Sequence, residues 1–317
     1  MNTPFHHVPV MADSIVDLLR PVPAGVLVDM TLGGGGHARL LLEARPDCRL
    51  LGLDRDRDAL SAAGANLAPF GDRVMLRHAR FDDLASIMTE LQIPSVSGVL
   101  FDLGVSSHQL DRAERGFSYR HDGPLDMRMD AGDPEHDGEA RTAGDIVNGY
   151  DVHDLARVLR EYGEERFANR IAHAIVAARP IESTAELADI VRDAIPAPAR
   201  RRGGHPAKRT FQAIRIEVNN ELAILGTAID AAVEATAPHG RVAVLAYHSG
   251  EDRIVKARFR HHATGGCTCP PGLPCVCDAV KTVRLLKAGA AKPTEAEISA
   301  NRRAESARLR AVEKLTA

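Results

Sequence analysis

The chain has 317 residues, 44% of them hydrophobic and 26% charged, with a net charge of −3 and no Trp. These proportions allow a substantial core in one large or two ordinary domains. They exclude a basic field over the whole protein, so any nucleic-acid contact must use local patches.

The opening residues, Met1-Asn-Thr-Pro-Phe-His-His-Val-Pro, do not combine a basic start with an apolar run, and no window approaches 18 continuous apolar residues. Neither a secretory signal nor a membrane span is therefore expected, and the cytoplasm is the expected location. The first third then alternates strand and helix patterns. Val26-Leu27-Val28 ends in Asp29, Leu50-Leu51-Gly52-Leu53 in Asp54, and Gly98-Val99-Leu100-Phe101 in Asp102; Val74-Met75-Leu76 lies between the last two. Short apolar strands separated by helices predict βαβ units and a parallel sheet buried on both faces.

From about Val105 to Arg241 no strand is convincing. Leu155, Val158, Leu159, Phe167, Ile171 and Ile175 recur at helical spacing over residues 151–178, and Leu187, Ile190 and Val191 over 184–195. The run Pro196-Ala-Pro-Ala-Arg-Arg-Arg-Gly-Gly reads as a loop. Residues 211–237 read as one long helix, 242–246 as a returning strand, and the tail after Pro293 as a charged helix. The gap is far longer than one crossover needs. The expected organisation is a discontinuous domain, 1–109 with 210–317, holding an inserted all-helical domain, 110–209. No internal repeat is found.

The sharpest local signal is Val28-Asp29-Met30-Thr31-Leu32-Gly33-Gly34-Gly35-Gly36-His37: a strand ending in a carboxylate, a glycine turn, then a helix N-terminus. Gly33, Gly35 and Ala38 also satisfy a dinucleotide fingerprint, so NAD and a hydride-transfer enzyme are one reading. Asp29 argues against it, because a carboxylate repels a pyrophosphate, whereas it suits S-adenosylmethionine with its ammonium and sulfonium. Asp54 stands where an acid grips ribose hydroxyls, and Phe81 is either an adenine platform or a core residue. Three strand-terminal aspartates at one sheet edge are costly unless they serve a ligand.

A series of stretches then carries a resemblance: His7-Val-Pro-Val, Asp29-x-Thr31-x-Gly33-x-Gly35-Gly36-His37, Asp54-Arg-Asp56, Phe101-Asp-Leu-Gly-Val-Ser-Ser-x-Gln109-Leu, Glu114-Arg-Gly-Phe-Ser, Asp122-Gly-Pro-Leu-Asp-Met-Arg-Met-Asp130, Tyr162-Gly-Glu-Glu-Arg-Phe, Arg209-Thr-Phe-Gln-Ala-Ile-Arg215 and His248-Ser-x-Glu-Asp-Arg253. In this order, over nearly the whole chain, it resembles the bacterial small-subunit ribosomal RNA methyltransferase H family. Position 250 departs from the pattern, with Gly in place of Leu. The resemblance implies a Rossmann-like class I methyltransferase sheet interrupted by a helical domain, with S-adenosylmethionine held by Gly35, Gly36, His37, Asp54, Phe81, Asp102 and Gln109. It also implies methylation of N4 of a cytidine in the decoding region of 16S rRNA, with the small ribosomal subunit as partner.

Cytosine's exocyclic amine is a poor nucleophile, and its lone pair must be localised and aligned. Asp102, with backbone carbonyls of Asp102-Leu-Gly-Val-Ser-Ser107, is one candidate to accept the amine hydrogens; its other reading is service to the cofactor alone. His248 and Ser249 follow the fifth strand and are further catalytic candidates. Arg200, Arg201, Arg202, Lys208 and Arg209 form a basic loop suited to RNA phosphates, or to solvent. Cys267, Cys269, Cys275 and Cys277 form a C-x-C…C-x-C pattern that could bind one Zn²⁺. A non-catalytic RNA-binding assembly factor is the alternative from another class. The oligomeric state is left open, with a homodimer as one option.

Overall fold

The computed structural model describes residues 9–130, 141–200, 204–270 and 276–316. The chain forms two compact units, one of residues 1–104 with 222–317 and the other of 105–221.

The first unit is built on seven strands: β1 (Val26–Asp29), β2 (Arg49–Asp54), β3 (Val74–His78), β4 (Val96–Asp102), β5 (Thr236–Ala246), β6 (Val283–Leu285) and β7 (Arg308–Lys314). Their order is β3-β2-β1-β4-β5-β7-β6. The first five run parallel, and β7 is antiparallel to both β5 and β6. Alternate residues of each strand feed opposite cores. Val26 and Val28 pack with Leu51, Val99, Ile229 and Phe259. Leu27 packs with Leu50, Leu100, Leu245, Ile15 and Leu41 on the other face. Burial on both faces explains why the central strands read as unbroken apolar runs.

Chain direction decides where a ligand can sit. From β1 the chain winds outward to β3, then crosses back to β4 on the other side of β1. The crevice outside the carboxyl ends of β1 and β4 is thus the topological switch point, the place where sheets of this type bind ligands.

Two expectations about the later part of the chain are corrected. Residues 211–237 are not one helix: Lys208–Asn219 and Glu221–Ala235 are separate, broken at Asn220, whose φ is 53°. Asparagine tolerates that left-handed conformation better than most residues do. The tail after Pro293 is not one charged helix either. It comprises a short helix, Glu295–Ala300, a 3₁₀ turn and then β7. The β7 charges are paired rather than solvated: Glu313 lies between Arg241 and Arg284, at 3.0 and 2.9 Å, and Arg310 holds Asp252 at 2.7 Å.

The second unit carries no strand among the described residues, only an isolated bridge between Pro124 and Ser183. Its longer helices are Val152–Glu161, Ala168–Ala178, Thr184–Ala194 and Lys208–Asn219. Leu155, Val158 and Leu159 from the first of these meet Ile171, Ile175, Leu187, Val191, Phe211 and Ile214 in one core. The expected boundary at 209/210 falls inside the last helix, which belongs wholly to this unit because Phe211, Ala213 and Ile214 complete that core. The other boundary lies at 104/105 instead of 109/110.

Candidate cofactor and catalytic site

Asp29, Asp54 and Asp102 end β1, β2 and β4, and the strand registers bring their carboxyl ends to one edge of the sheet. The turn after Asp29 is tied into that edge. Leu32 N–H donates to Leu53 O at 2.9 Å, Gly35 N–H to Leu32 O at 2.8 Å, and Gly33 N–H to Asp54 Oδ2 at 2.7 Å. Gly33 and Gly35 take left-handed φ values of 53° and 76°. A side chain at Gly35 would press on Leu67 at 3.2 Å, and one at Gly36 on Pro9 at 2.7 Å. Beside Gly33 and Gly34, by contrast, a β-carbon would meet nothing within 4 Å. Two glycines therefore serve close packing, and two leave an open backbone surface for a ligand.

The acids are held in an electrostatic state that a cation would relieve. Asp29 is 2% exposed. Burial pushes its pKa up to about 7, against the pull of His37 and with Asp102 and Asp54 adding to the rise. Burial likewise pushes Asp54 up to about 6, although it accepts hydrogen bonds from the Gly33 and Asp56 N–H groups. His37 opens the helix Gly36–Ala44; burial opposes its charge, but Asp102 and Asp29 outweigh that and raise its pKa. His37 Nε2 stands 3.5 Å from Asp102 Oδ2, while its buried Nδ1 has no hydrogen-bond partner among the described residues. On the other side of Asp102, the Tyr247 hydroxyl donates to Oδ1 at 2.6 Å. Burial, then the Asp102 charge, push the Tyr247 pKa far up, so it remains a donor. The Asp102 backbone N–H donates to Thr31 Oγ1 at 2.7 Å, locking the end of β4 to the glycine turn.

Tyr247 was not among the expected site residues. Its signal was its position, directly after β5 at the same edge and directly before the His248-Ser249 pair. His248 itself caps the helix Ser249–Thr264: its Nε2 lies 3.1 Å from Glu251 Oε1, and Glu251 Oε2 accepts from the backbone of Tyr247 and His248. This arrangement gives His248 a structural part. Ser249 is the exposed first residue of that helix. A β-carbon at Gly250 would stand 3.1 Å from the His248 ring and 3.2 Å from Leu222, so a larger residue would require that cap to shift.

Phe81 starts a 3₁₀ turn after β3 and meets Phe101 edge to face at 6.1 Å, partly buried against the core. Gln109 lies in the second unit, where its side chain closes a capping box with Ser106. Arg200 spends its guanidinium on the Ile195 and Asp193 carbonyls at 2.6 and 3.1 Å, ending the preceding helix. Lys208 and Arg209 are exposed at the start of their helix. Arg201, Arg202 and Cys275 lie outside the described residues, whereas Cys267, Cys269 and Cys277 converge.

A sheet in this order, with a glycine turn after β1 and acids ending β1, β2 and β4, is matched in sequence as well. The model of the MraW methylase family aligns with residues 4–315. The chain belongs to that family. Among its relatives, one from Thermobifida fusca (strain YX) is 55% identical over 97% of this chain and 93% of its own length; it is named ribosomal RNA small subunit methyltransferase H. Proteins of the same name from Symbiobacterium thermophilum and Heliobacterium modesticaldum are 51% and 50% identical, covering 99% and 98% of the chain and 98% and 99% of their own lengths. The methyl donor is S-adenosylmethionine. The edge suits it, since Asp29 and Asp102 face the one imidazole of His37 and Asp54 stands beside an open glycine backbone.

A pH dependence follows. Binding a cation favours the ionised acids, so binding releases protons wherever Asp29 and Asp54 are partly protonated in the free protein. Given pKa values of about 7 and about 6, affinity should rise from acid pH up to about pH 8 and then level off. Calorimetry should find S-adenosylmethionine bound about 10- to 100-fold more weakly at pH 5.5 than at pH 8. Neutral 5′-methylthioadenosine, which keeps the ribose for Asp54 but lacks the charges that Asp29 would meet, should change less. A flat profile for S-adenosylmethionine would remove the electrostatic account of the three acids.

Proposed function

We propose that the chain methylates N4 of a cytidine in the decoding region of 16S rRNA in the cytoplasm, with Asp102 as the group that engages the base amine. The relatives' names support ribosomal RNA of the small subunit as the substrate class. The resemblance of the motifs supports the particular amine. The observation that carries the reading is the Asp102 carboxylate at the switch point, oriented by Tyr247 on one oxygen and facing His37 on the other.

The bound cofactor supplies an electrophilic methyl group on a sulfonium. Asp29 would favour that positive charge at the edge, and Asp54 would hold the ribose hydroxyls. Asp102 would accept a hydrogen from the amine, localising the nitrogen lone pair, and would take the amine proton when the methyl passes from sulfur to nitrogen and the cofactor leaves as a neutral thioether. Tyr247 positions Asp102 through Oδ1; Oδ2, which also stands 3.5 Å from His37 Nε2, keeps a further lone pair with which to accept. The alternative chemistry on cytosine, methylation at carbon 5, needs a thiolate that attacks the ring. Cys48 precedes β2, at the end of the strand opposite Asp54 and so roughly 20 Å from it at about 3.3 Å per residue. Burial also pushes its thiol pKa up, against thiolate formation. The remaining cysteines follow the helix Ser249–Thr264.

RNA recognition is assigned to the second unit. With Arg200 engaged in helix capping and Arg209 Nη1 donating to Glu164 O at 2.8 Å, the described part of the basic loop offers the exposed Lys208 with the Arg209 charge beside it. Replacing both with Ala should lower the slope of log affinity against log salt by about 1 to 2, while cofactor affinity stays unchanged. A full salt slope in a variant that melts normally would move the RNA surface elsewhere. The substrate class is tested by incubating enzyme and labelled S-adenosylmethionine with unmethylated small-subunit RNA or particles, large-subunit RNA and transfer RNA. Label should enter the small-subunit substrate alone; label confined to another RNA would sink the proposal.

A further inference from the structure

In the segment that joins the helix Ser249–Thr264 to β6, none of the described residues is buried. Its two ends are fixed. Gly265 and Gly266 turn the chain with φ of 64° and 72°, and Gly266 N–H bonds to His261 O at 2.9 Å. At the far end Thr282 N–H bonds to His262 O at 3.0 Å, and His262 is held by Asp230 at 2.9 Å. Between these anchors the described aliphatic side chains point outward: Val276 is 84% exposed and Val280 74%. A stretch with little apolar burial gains order from a covalent or metal staple, as small scaffolds do.

Three thiols meet there. The sulfur atoms of Cys267, Cys269 and Cys277 all lie within 4.8 Å of one another. A tetrahedral zinc ion with Zn–S bonds of about 2.3 Å sets its sulfurs about 3.8 Å apart, so small side-chain adjustments bring all three into range. A disulfide would explain the approach of two sulfurs but not of three. Cys267 and Cys269 sit two residues apart, and Cys277 returns from the other arm of the loop, so one ion would tie both arms together.

We propose that Cys267, Cys269 and Cys277 bind a structural zinc ion that fixes this loop, with the fourth position falling to a further donor. Soft thiolate ligands select zinc over magnesium or calcium, and a site of this kind contributes to stability rather than to the reaction. Cys267 also lines a groove with Arg253, Lys256 and Arg260, so the ion sets one wall of that groove.

The test uses the whole protein, purified under reducing conditions without chelator. Elemental analysis should find about one zinc per chain, and the Cys267→Ser, Cys269→Ser double variant should lose it. Cobalt exchanged into the unmutated protein should give the visible bands and the sulfur-to-metal charge transfer of tetrahedral thiolate coordination, a readout that does not depend on a variant folding. Protein with less than about 0.1 zinc per chain and no cobalt bands would overturn the proposal. So would iron in place of zinc, or a disulfide among these cysteines by mass spectrometry.

Discussion

Replacing Asp102 with Asn should lower the methyl-transfer rate at saturating cofactor by about 100- to 10,000-fold, the usual range for a positioned proton acceptor. Asparagine keeps the volume and can still accept from the Tyr247 hydroxyl, which lies 2.6 Å from Asp102 Oδ1. It loses the negative charge that takes the amine proton. Single-turnover rates against cofactor concentration separate the two parts Asp102 could play. If it serves only the cofactor, KM for S-adenosylmethionine rises and kcat survives; if it engages the amine, kcat falls. Tyr247→Phe should give a smaller loss, about tenfold in kcat, because the hydroxyl that orients Asp102 is gone. If Tyr247 positions Asp102 for the amine, kcat falls while KM for S-adenosylmethionine holds; an unchanged kcat in a folded variant would make Tyr247 merely structural.

Asp29→Asn should stabilise the free protein at pH 8 while weakening its cofactor. Asp29 is buried with a pKa of about 7, above its ordinary value of 3.8, so the folded state favours the protonated form. Its contribution to stability is full at pH below the unfolded value and is lost as pH rises through about 7. At pH 8 the ionised carboxylate thus costs stability, on the order of 2–4 kcal/mol for a shift of this size. Asparagine removes that cost and can still accept from the Thr31 N–H, 3.2 Å from Asp29 Oδ1. Thermal unfolding without ligand should show a higher Tm for the variant at pH 8 and a much smaller gain near pH 5. Cofactor affinity should fall by about 10- to 100-fold, the loss of a charged partner. A variant that melts lower than the parent at pH 8 would show that the carboxylate is not held against its preference.

Why some of this was legible in the sequence, and some not, follows from the range of each signal. Strands β1, β2 and β4 each pair an apolar run with a terminal Asp, and a glycine turn follows the first; these are local features, and they placed the acids correctly on one edge. The tail misled because its charges resemble a solvated helix. Only the fold brings Glu313 to Arg241 and Arg284 and makes a strand of it. Tyr247 and Asp102 are 145 positions apart, so their hydrogen bond had no local trace. Arg200 looked like a phosphate ligand within a basic run, yet the nearest acceptors are the carbonyls of the helix it ends. Asn220 breaks a pattern that is apolar at helical spacing on both sides, and spacing alone cannot register a left-handed residue.

The most direct test of the central claim is the identity of the methylated nucleoside. Small-subunit RNA lacking the modification is treated with enzyme and isotope-labelled S-adenosylmethionine, digested to nucleosides and resolved by mass spectrometry. The account predicts label in N4-methylcytidine, formed at least about 100-fold more slowly by the Asp102→Asn variant. Label in 5-methylcytidine, in a methylated adenosine or in ribose 2′-O-methyl, with none in N4-methylcytidine, would contradict it.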